Sequence, residues 1–187
     1  DFELEATLDA DVIPAAGVPC DAAPAKHIFL TGGTGFLGTS MLQELLNRPG
    51  TTIYCLVRAG SEAAGLEKLR KNFKRYGHSH AEFDLRVVPV LGDLEKPRFG
   101  LSEATFRDLA DRADIVVHNG ASVNLVFPYE MLRAVNVGGT KEAIRFACLV
   151  RPKPLHFVST YSVQHSREHL HTTDIYETDP LPPCESL

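Results

Sequence analysis

Apolar residues recur along this chain in two alternating patterns, short unbroken runs and longer stretches at helical spacing. The runs are "HIFLT" (27–31), "TTIYCLV" (51–57), "LRVVPVLG" (85–92), "ADIVVHNGA" (113–121) and "PLHFVST" (154–160). Runs of this length, apolar on both faces, predict strands buried in a parallel sheet. Between them, "FLGTSMLQELLNR" (36–48), "EAAGLEKLRKNFKRY" (62–76), "SEATFRDLAD" (102–111) and "PYEMLRAVNVGGTKEAIRFACLV" (128–150) predict helices. Ser102 is a good N-cap, Pro128 suits a helix start, and Pro89 is the awkward residue of the third strand. The alternation predicts an α/β fold, a doubly wound parallel sheet with right-handed crossovers. The expected strand order is 3-2-1-4-5.

Outside residues 27–160 the pattern fades. Residues 1–26 read as a leading segment: 2–14 allow one short amphipathic turn of helix, and the Pro- and Ala-rich 15–25 read as a linker. Residues 161–187 are polar and Pro-rich, a long loop without clear period. The first residue is Asp1, not Met, which suggests a piece of a larger protein.

Composition narrows the function classes. A length of 187 residues suits one domain with a sizeable core. A net charge of −5 argues against the basic face that nucleic acid requires. The basic cluster "RKNFKRYG" (70–77) reads as a solvated helix face. No apolar run is long enough for a bilayer, and no signal peptide opens the chain. The four cysteines lack metal-ligand spacing; Cys55 and Cys148 read as buried thiols, which fits a reducing, cytoplasmic setting. "HSREHLH" (165–171) reads as a polar loop, so no metal site is expected.

The chemistry sits in "TGGTGFLG" (31–38). Gly32, Gly35 and Gly38 follow a predicted strand and open a predicted helix. Gly32 permits the tight turn, Gly35 lets a pyrophosphate approach the main chain, and Gly38 lets helix and strand pack closely. The helix N-terminus offers free N–H groups and a positive dipole end. Thr31, Thr34, Phe36 and Leu37 complete the candidate loop. A P-loop would need lysine where Thr39 stands, which argues against a triphosphatase. At the end of the second strand, an NAD site would carry an acidic residue; here it is Arg58, suited to a 2′-phosphate. NADPH is therefore expected over NADH, unless Arg58 is an ordinary surface arginine. Asp93, followed by Leu94, is placed to accept from the adenine amine or, equally, to cap a turn. Asn119, Gly120 and Ala121 follow the fourth strand, where small residues let the backbone pass beside a cofactor. Asn119 also suits a plain turn. Asn136, inside a helix pattern, is expected to bridge buried backbone groups.

In order, "TGGTGFLG", "CLVRA", "GDL", "VVHNGASVN", "PYEMLRAVNVGGT" and "HFVSTYSV" resemble extended short-chain dehydrogenase/reductases, and among them the thioester reductase domains of nonribosomal peptide synthetases and polyketide synthases. The resemblance implies a Rossmann-type fold and NADPH-dependent reductive release of a carrier-bound phosphopantetheine thioester to an aldehyde or alcohol. It also implies that the segment before residue 27 joins a carrier domain. It places the family's catalytic hydroxyl on Thr160 and a second contact to the 2′-phosphate on Lys68, a point charge where the family tends to have arginine. The family's Tyr-x-x-x-Lys pair is absent: four residues after Tyr54, Tyr76, Tyr129, Tyr161 and Tyr176 stand Arg58, His80, Arg133, His165 and Pro180. Truncation before the catalytic helix and the substrate region explains this most simply, and makes an inactive fragment the expectation. Tyr161 is expected to pack against a strand, not to act as an acid. Two alternatives stay open: a non-redox Dieckmann-type cyclising release domain, and a dinucleotide-sensing module without turnover.

Overall fold

The computed structural model describes residues 2–14, 24–160 and 176. The chain divides into two compact units, one of residues 8–157, the other of residues 1–7 with 158–187. In the second unit, Phe2–Ala6 forms the short helix α1. The loop expected over 161–187, with Tyr161 and the histidine-rich stretch, lies outside the described residues apart from Tyr176.

The larger unit is a five-stranded parallel sheet in the order β3-β2-β1-β4-β5, as the alternation predicted. The strands are β1 (His27–Thr31), β2 (Thr52–Val57), β3 (Val87–Leu91), β4 (Ile115–His118) and β5 (Leu155–Phe157). The helices are α2 (Phe36–Leu46), α3 (Glu62–Arg75), α4 (Phe83–Arg86), α5 (Glu103–Arg112), α6 (Tyr129–Arg133) and α7 (Gly139–Cys148). Successive strand residues point to opposite faces, and the core divides accordingly. Leu30, Cys55 and Val57 pack with Leu42, Leu46, Leu69 and Phe73 on one face. Phe29, Leu56 and Val116 pack with Phe99, Phe106 and Phe146 on the other. The second face is aromatic: Phe29 and Phe146 stack with centroids 4.5 Å apart, and Phe106 meets Phe146 edge-on at 5.2 Å.

Three expectations change. The fifth strand stops at Phe157, the residue paired with His118, where its neighbour β4 also ends. The long helix of 128–150 is one path with a defect: Ala134–Gly138 is a π-helical turn between α6 and α7. Not every strand is buried on both faces, since β3 and β5 are the outermost strands and keep partly open sides. The edge position explains Pro89, whose missing N–H leaves no interior ladder bond unmade.

Side chains close the helix ends. Ser61 caps α3 by accepting from the Ala64 N–H at 3.2 Å, and Ser102 caps α5 by accepting from the Thr105 N–H at 3.1 Å. At α2's C-terminus, buried Arg86 donates to the carbonyls of Leu46 and Thr51, both at 2.7 Å, and to Arg48 O. At α7's C-terminus, Lys153 Nζ donates to the carbonyls of Phe146, Leu149 and Arg151 at 3.1, 3.0 and 2.8 Å. Burial pulls the Lys153 ammonium down to about 8. Each cation answers orphan carbonyls at the negative end of a helix.

After β3 the chain makes an unusual turn. Arg98, Phe99 and Gly100 are all left-handed, with φ of 51°, 56° and 74°. Two non-glycine residues in this region imply strain that surrounding contacts must hold. Phe99 is fully buried, Glu142 accepts from the Arg98 N–H at 2.8 Å, and the Phe99 carbonyl accepts from the Asp93 N–H at 2.8 Å. Arg145 stands beside Glu142 and also pairs with Asp9 and Asp11, so part of the leading segment is strapped to α7.

Phe146 touches three other phenylalanines. Truncation by Phe146→Ala is expected to cost about 3–5 kcal/mol, read as a lower denaturant midpoint with an unchanged slope.

Candidate functional site

The loop after β1 and the loop after β4 leave the carboxyl ends of adjacent parallel strands. The chain order turns back between these strands, which opens the crevice where doubly wound sheets bind ligands. Three close approaches build it. Gly32, at φ +73°, lies so near the other loop that an added Cβ would sit 2.8 Å from the backbone of Asn119 and Gly120. A Cβ on Gly38 would fall 2.0 Å from the Gly32 carbonyl oxygen. One on Gly120 would lie 2.5 Å from Leu94 Cδ1 and 3.0 Å from Thr31 Oγ1. At Gly32 and Gly38 a side chain would overlap main-chain atoms, so these two glycines are a packing requirement, whereas at Gly120 the Leu94 tip would have to shift.

Gly35 differs. Its φ is −81°, which any residue adopts, and an added Cβ would meet nothing nearer than the Gly32 carbonyl at 3.4 Å. It is exposed at the start of α2, whose N-cap makes no side-chain hydrogen bond and whose first turn has no acidic residue. The N-termini of α3 and α5 are each closed by a serine; that of α2 stays open. An uncapped helix start with a glycine at its lip is suited to an anion.

Arg58 and Lys68 come together at the end of β2, where Lys68 Nζ donates to the Arg58 carbonyl at 3.0 Å. Both are exposed, and the Arg58 guanidinium makes no hydrogen bond or ion pair with the described residues. Arg86, Arg145 and Arg151, by contrast, are spent within the fold. Asp93 takes the turn role, accepting from the Glu95 N–H at 3.2 Å. Leu94 packs on Gly120 and Gly139. Asn119 reaches the Gly32 carbonyl through Nδ2 at 3.4 Å. Thr34, Phe36, Leu37 and Ala121 lie at the crevice surface, and Phe36 meets the Tyr76 ring edge-on at 5.5 Å. Thr39, at the P-loop lysine position, is buried and donates to the Phe36 carbonyl at 2.8 Å. Thr160 is exposed and belongs to the smaller unit; the crevice is built by the larger one.

Asn136 bridges backbone groups as its placement suggested. It accepts from the Ser122 N–H at 2.8 Å and donates to the Ser122 carbonyl at 3.1 Å. Thr31, read as a cofactor contact, is fully buried with its hydroxyl used inside the protein. One residue escaped the sequence reading. His118 is 1% exposed, lies 2.7 Å from Thr31 Oγ1 through Nδ1, and stacks on Phe157. Its signal was a histidine closing a buried strand, a place where an imidazole needs partners. Among the described residues, no group of His, Cys, Asp and Glu is arranged to hold a metal, and no helix is long and apolar enough to cross a membrane.

The crevice, its glycines and the sheet order define a doubly wound α/β protein of the dinucleotide-binding type. Residues 30–182 match the family described as Male sterility protein, and the chain belongs to that family. A solved terminal R domain from the myxalamid PKS-NRPS biosynthetic pathway superposes with a TM-score of 0.93 at 42% identity, over 100% of this chain and 47% of that one. A linear gramicidin synthase of Brevibacillus parabrevis is 42% identical over 94% of this chain and 3% of its own length. The L-2-aminoadipate reductase large subunit of Penicillium chrysogenum is 44% identical over 72% of this chain and 10% of its own. The chain thus spans about half of the solved R domain (47%) and only 3% and 10% of the other two relatives. Homology to reductase domains supports NAD(P)H binding and oxidoreductase chemistry in the family.

Burial pushes the His118 imidazole down to about 4, from 6.5. The unfolded chain takes up this proton below about pH 6.5, whereas the folded chain resists it until about 4. The contribution is therefore complete above pH 6.5 and is lost as pH falls toward 4. The expected loss from this one group is about 3 kcal/mol. Denaturant unfolding of wild type and His118→Asn across that range isolates it, as the difference between the two pH profiles.

Proposed function

We propose that this chain is the NADPH-binding part of a thioester reductase that releases an acyl or peptidyl chain from a phosphopantetheine-bearing carrier domain. The observation that carries the cofactor reading is Gly35, a glycine that neither backbone conformation nor internal packing calls for, at the open N-terminus of α2. Its smallness serves a group approaching from outside, and the free N–H groups there favour a pyrophosphate. The Arg58 guanidinium, without a partner among the described residues and with Lys68 held beside the Arg58 carbonyl, supports NADPH over NADH. The backbone of Gly32 and Asn119–Ala121 lines the path of the cofactor between the two halves of the sheet.

Bound NADPH would supply the hydride. Thr160 is proposed to donate a hydrogen bond from Oγ1 to the thioester oxygen as negative charge develops there. The nearly fully exposed Val123, Leu125 and Val126, just after the β4 loop, offer apolar surface beside the crevice. The resemblance to reductase domains of peptide and polyketide synthases supports the thioester as substrate and the carrier domain as partner.

Calorimetry with NADPH and NADH tests the cofactor reading. The folded chain is expected to prefer NADPH, and Arg58→Asp to weaken NADPH binding about 10- to 100-fold with little change for NADH. Absence of uptake by folded protein, or an unchanged NADPH affinity in Arg58→Asp, overturns it. In the full-length protein, Thr160→Val is expected to lower turnover of a carrier-bound thioester about 10²- to 10³-fold with NADPH affinity unchanged. NADPH consumption and product mass are the readouts, and Thr160→Ser should restore most of the rate.

A further inference from the structure

Polar groups of six residues around the β4 loop form a closed circuit. The Gly120 N–H donates to Thr31 Oγ1 at 2.9 Å, and Thr31 Oγ1 lies 2.7 Å from His118 Nδ1. On the other side of the ring, His118 Nε2 lies 3.3 Å from Thr140 Oγ1, which donates to the Asn136 carbonyl at 2.6 Å. The Asn136 side chain grips the Ser122 backbone through both its N–H and its C=O. The circuit returns to Gly120 through Ala121.

Proton counting orders it. Thr140 has one hydroxyl proton and gives it to Asn136, so it accepts from His118 Nε2–H. His118 Nδ1 then carries a lone pair and accepts from the Thr31 hydroxyl, whose oxygen accepts from Gly120. Each hydroxyl donates once and accepts once. The ring stacks on Phe157 with centroids 5.7 Å apart, and among the described residues no titratable side chain bonds to it. The π-helical turn of Ala134–Gly138 carries Asn136 and leads into Thr140.

We infer that His118 is a positioning residue: as the Nε2–H tautomer it ties β1 to the π-helical turn and so fixes the Asn119–Ser122 backbone along the nicotinamide half of the cofactor path. This rests on the NADPH reading above. The β4 loop belongs to the second mononucleotide half of the sheet, while Arg58 and the α2 N-terminus serve the first. Loosening the circuit therefore disturbs the nicotinamide half of the dinucleotide more than the adenosine half.

The test compares NADPH with 2′,5′-ADP, which lacks the nicotinamide half, on wild type, His118→Phe and Thr140→Val. The expected result is a loss of about tenfold or more for NADPH in both variants, with 2′,5′-ADP within about twofold of wild type. Nitrogen-15 NMR of the wild-type ring should show a protonated Nε2 and an unprotonated Nδ1, and the Gly120 amide should lose exchange protection in the variants. If His118→Phe does not fold, Thr140→Val, which leaves the ring in place, carries the test alone. Equal losses for both ligands, no loss for NADPH, or an Nδ1–H tautomer overturns the inference while the cofactor reading stands. Wild type that binds neither ligand overturns both.

Discussion

The close approach of two loops at the carboxyl ends of β1 and β4 is the constraint on which the crevice depends. Gly32 lies against the Asn119–Gly120 backbone, and Gly38 lies against the Gly32 carbonyl. A methyl group at either point would overlap main-chain atoms, which cannot swing aside as a side-chain tip can. With these contacts made, α2 follows closely on β1 and begins without a side-chain cap. The same contacts bring the β4 loop to where Thr31 and Asn136 can hold it.

Around that point the two ends of the sheet have different tasks. The helix C-termini of α2 and α7 are closed by buried cations, Arg86 and Lys153, each donating to several carbonyls. Such multiply bonded cations anchor helices to the sheet and offer nothing to a ligand. At the ligand end the opposite holds: α2 has no cap and Arg58 no partner among the described residues. The left-handed turn at Arg98–Gly100 stands between these regimes. It is strained, yet it holds the Asp93 backbone in place, and Glu142 from α7 supports it. Through Arg145 this support continues to Asp9 and Asp11 of the leading segment. The Arg145 hydrogen bond holds the Asp11 carboxyl below its usual range, although the pair is open to water and contributes little to stability.

Much of the fold was legible beforehand because its signals are local. Strand runs, helix periods and the Ser102 cap each depend on a few neighbouring residues, and the strand order follows from chain handedness once the alternation is recognised. The roles of Gly32 and Gly38 were legible for the same reason, since a strand–glycine–helix junction has few geometries. Strand limits were less so. Whether "PLHFVST" pairs along its whole length depends on where β4 ends, a fact about another segment. The π-helical turn was hidden too, because its residues carry an ordinary helical period.

The alternating layers, the parallel sheet with its order, and the anion-ready bend after β1 could all be read from the residues alone. They rest on period, chirality and the absence of a side chain at particular glycines. Which polar groups would meet was settled only in the folded chain. Thr31 turned inward to His118, Asp93 went to its own turn, Asn136 took hold of the β4 loop, and Arg58 was left without a partner among the described residues. The reason is distance along the chain. A hydrogen bond between residues 87 positions apart, such as Thr31 with His118, is set by how strands align across the sheet, and no short window of residues encodes it.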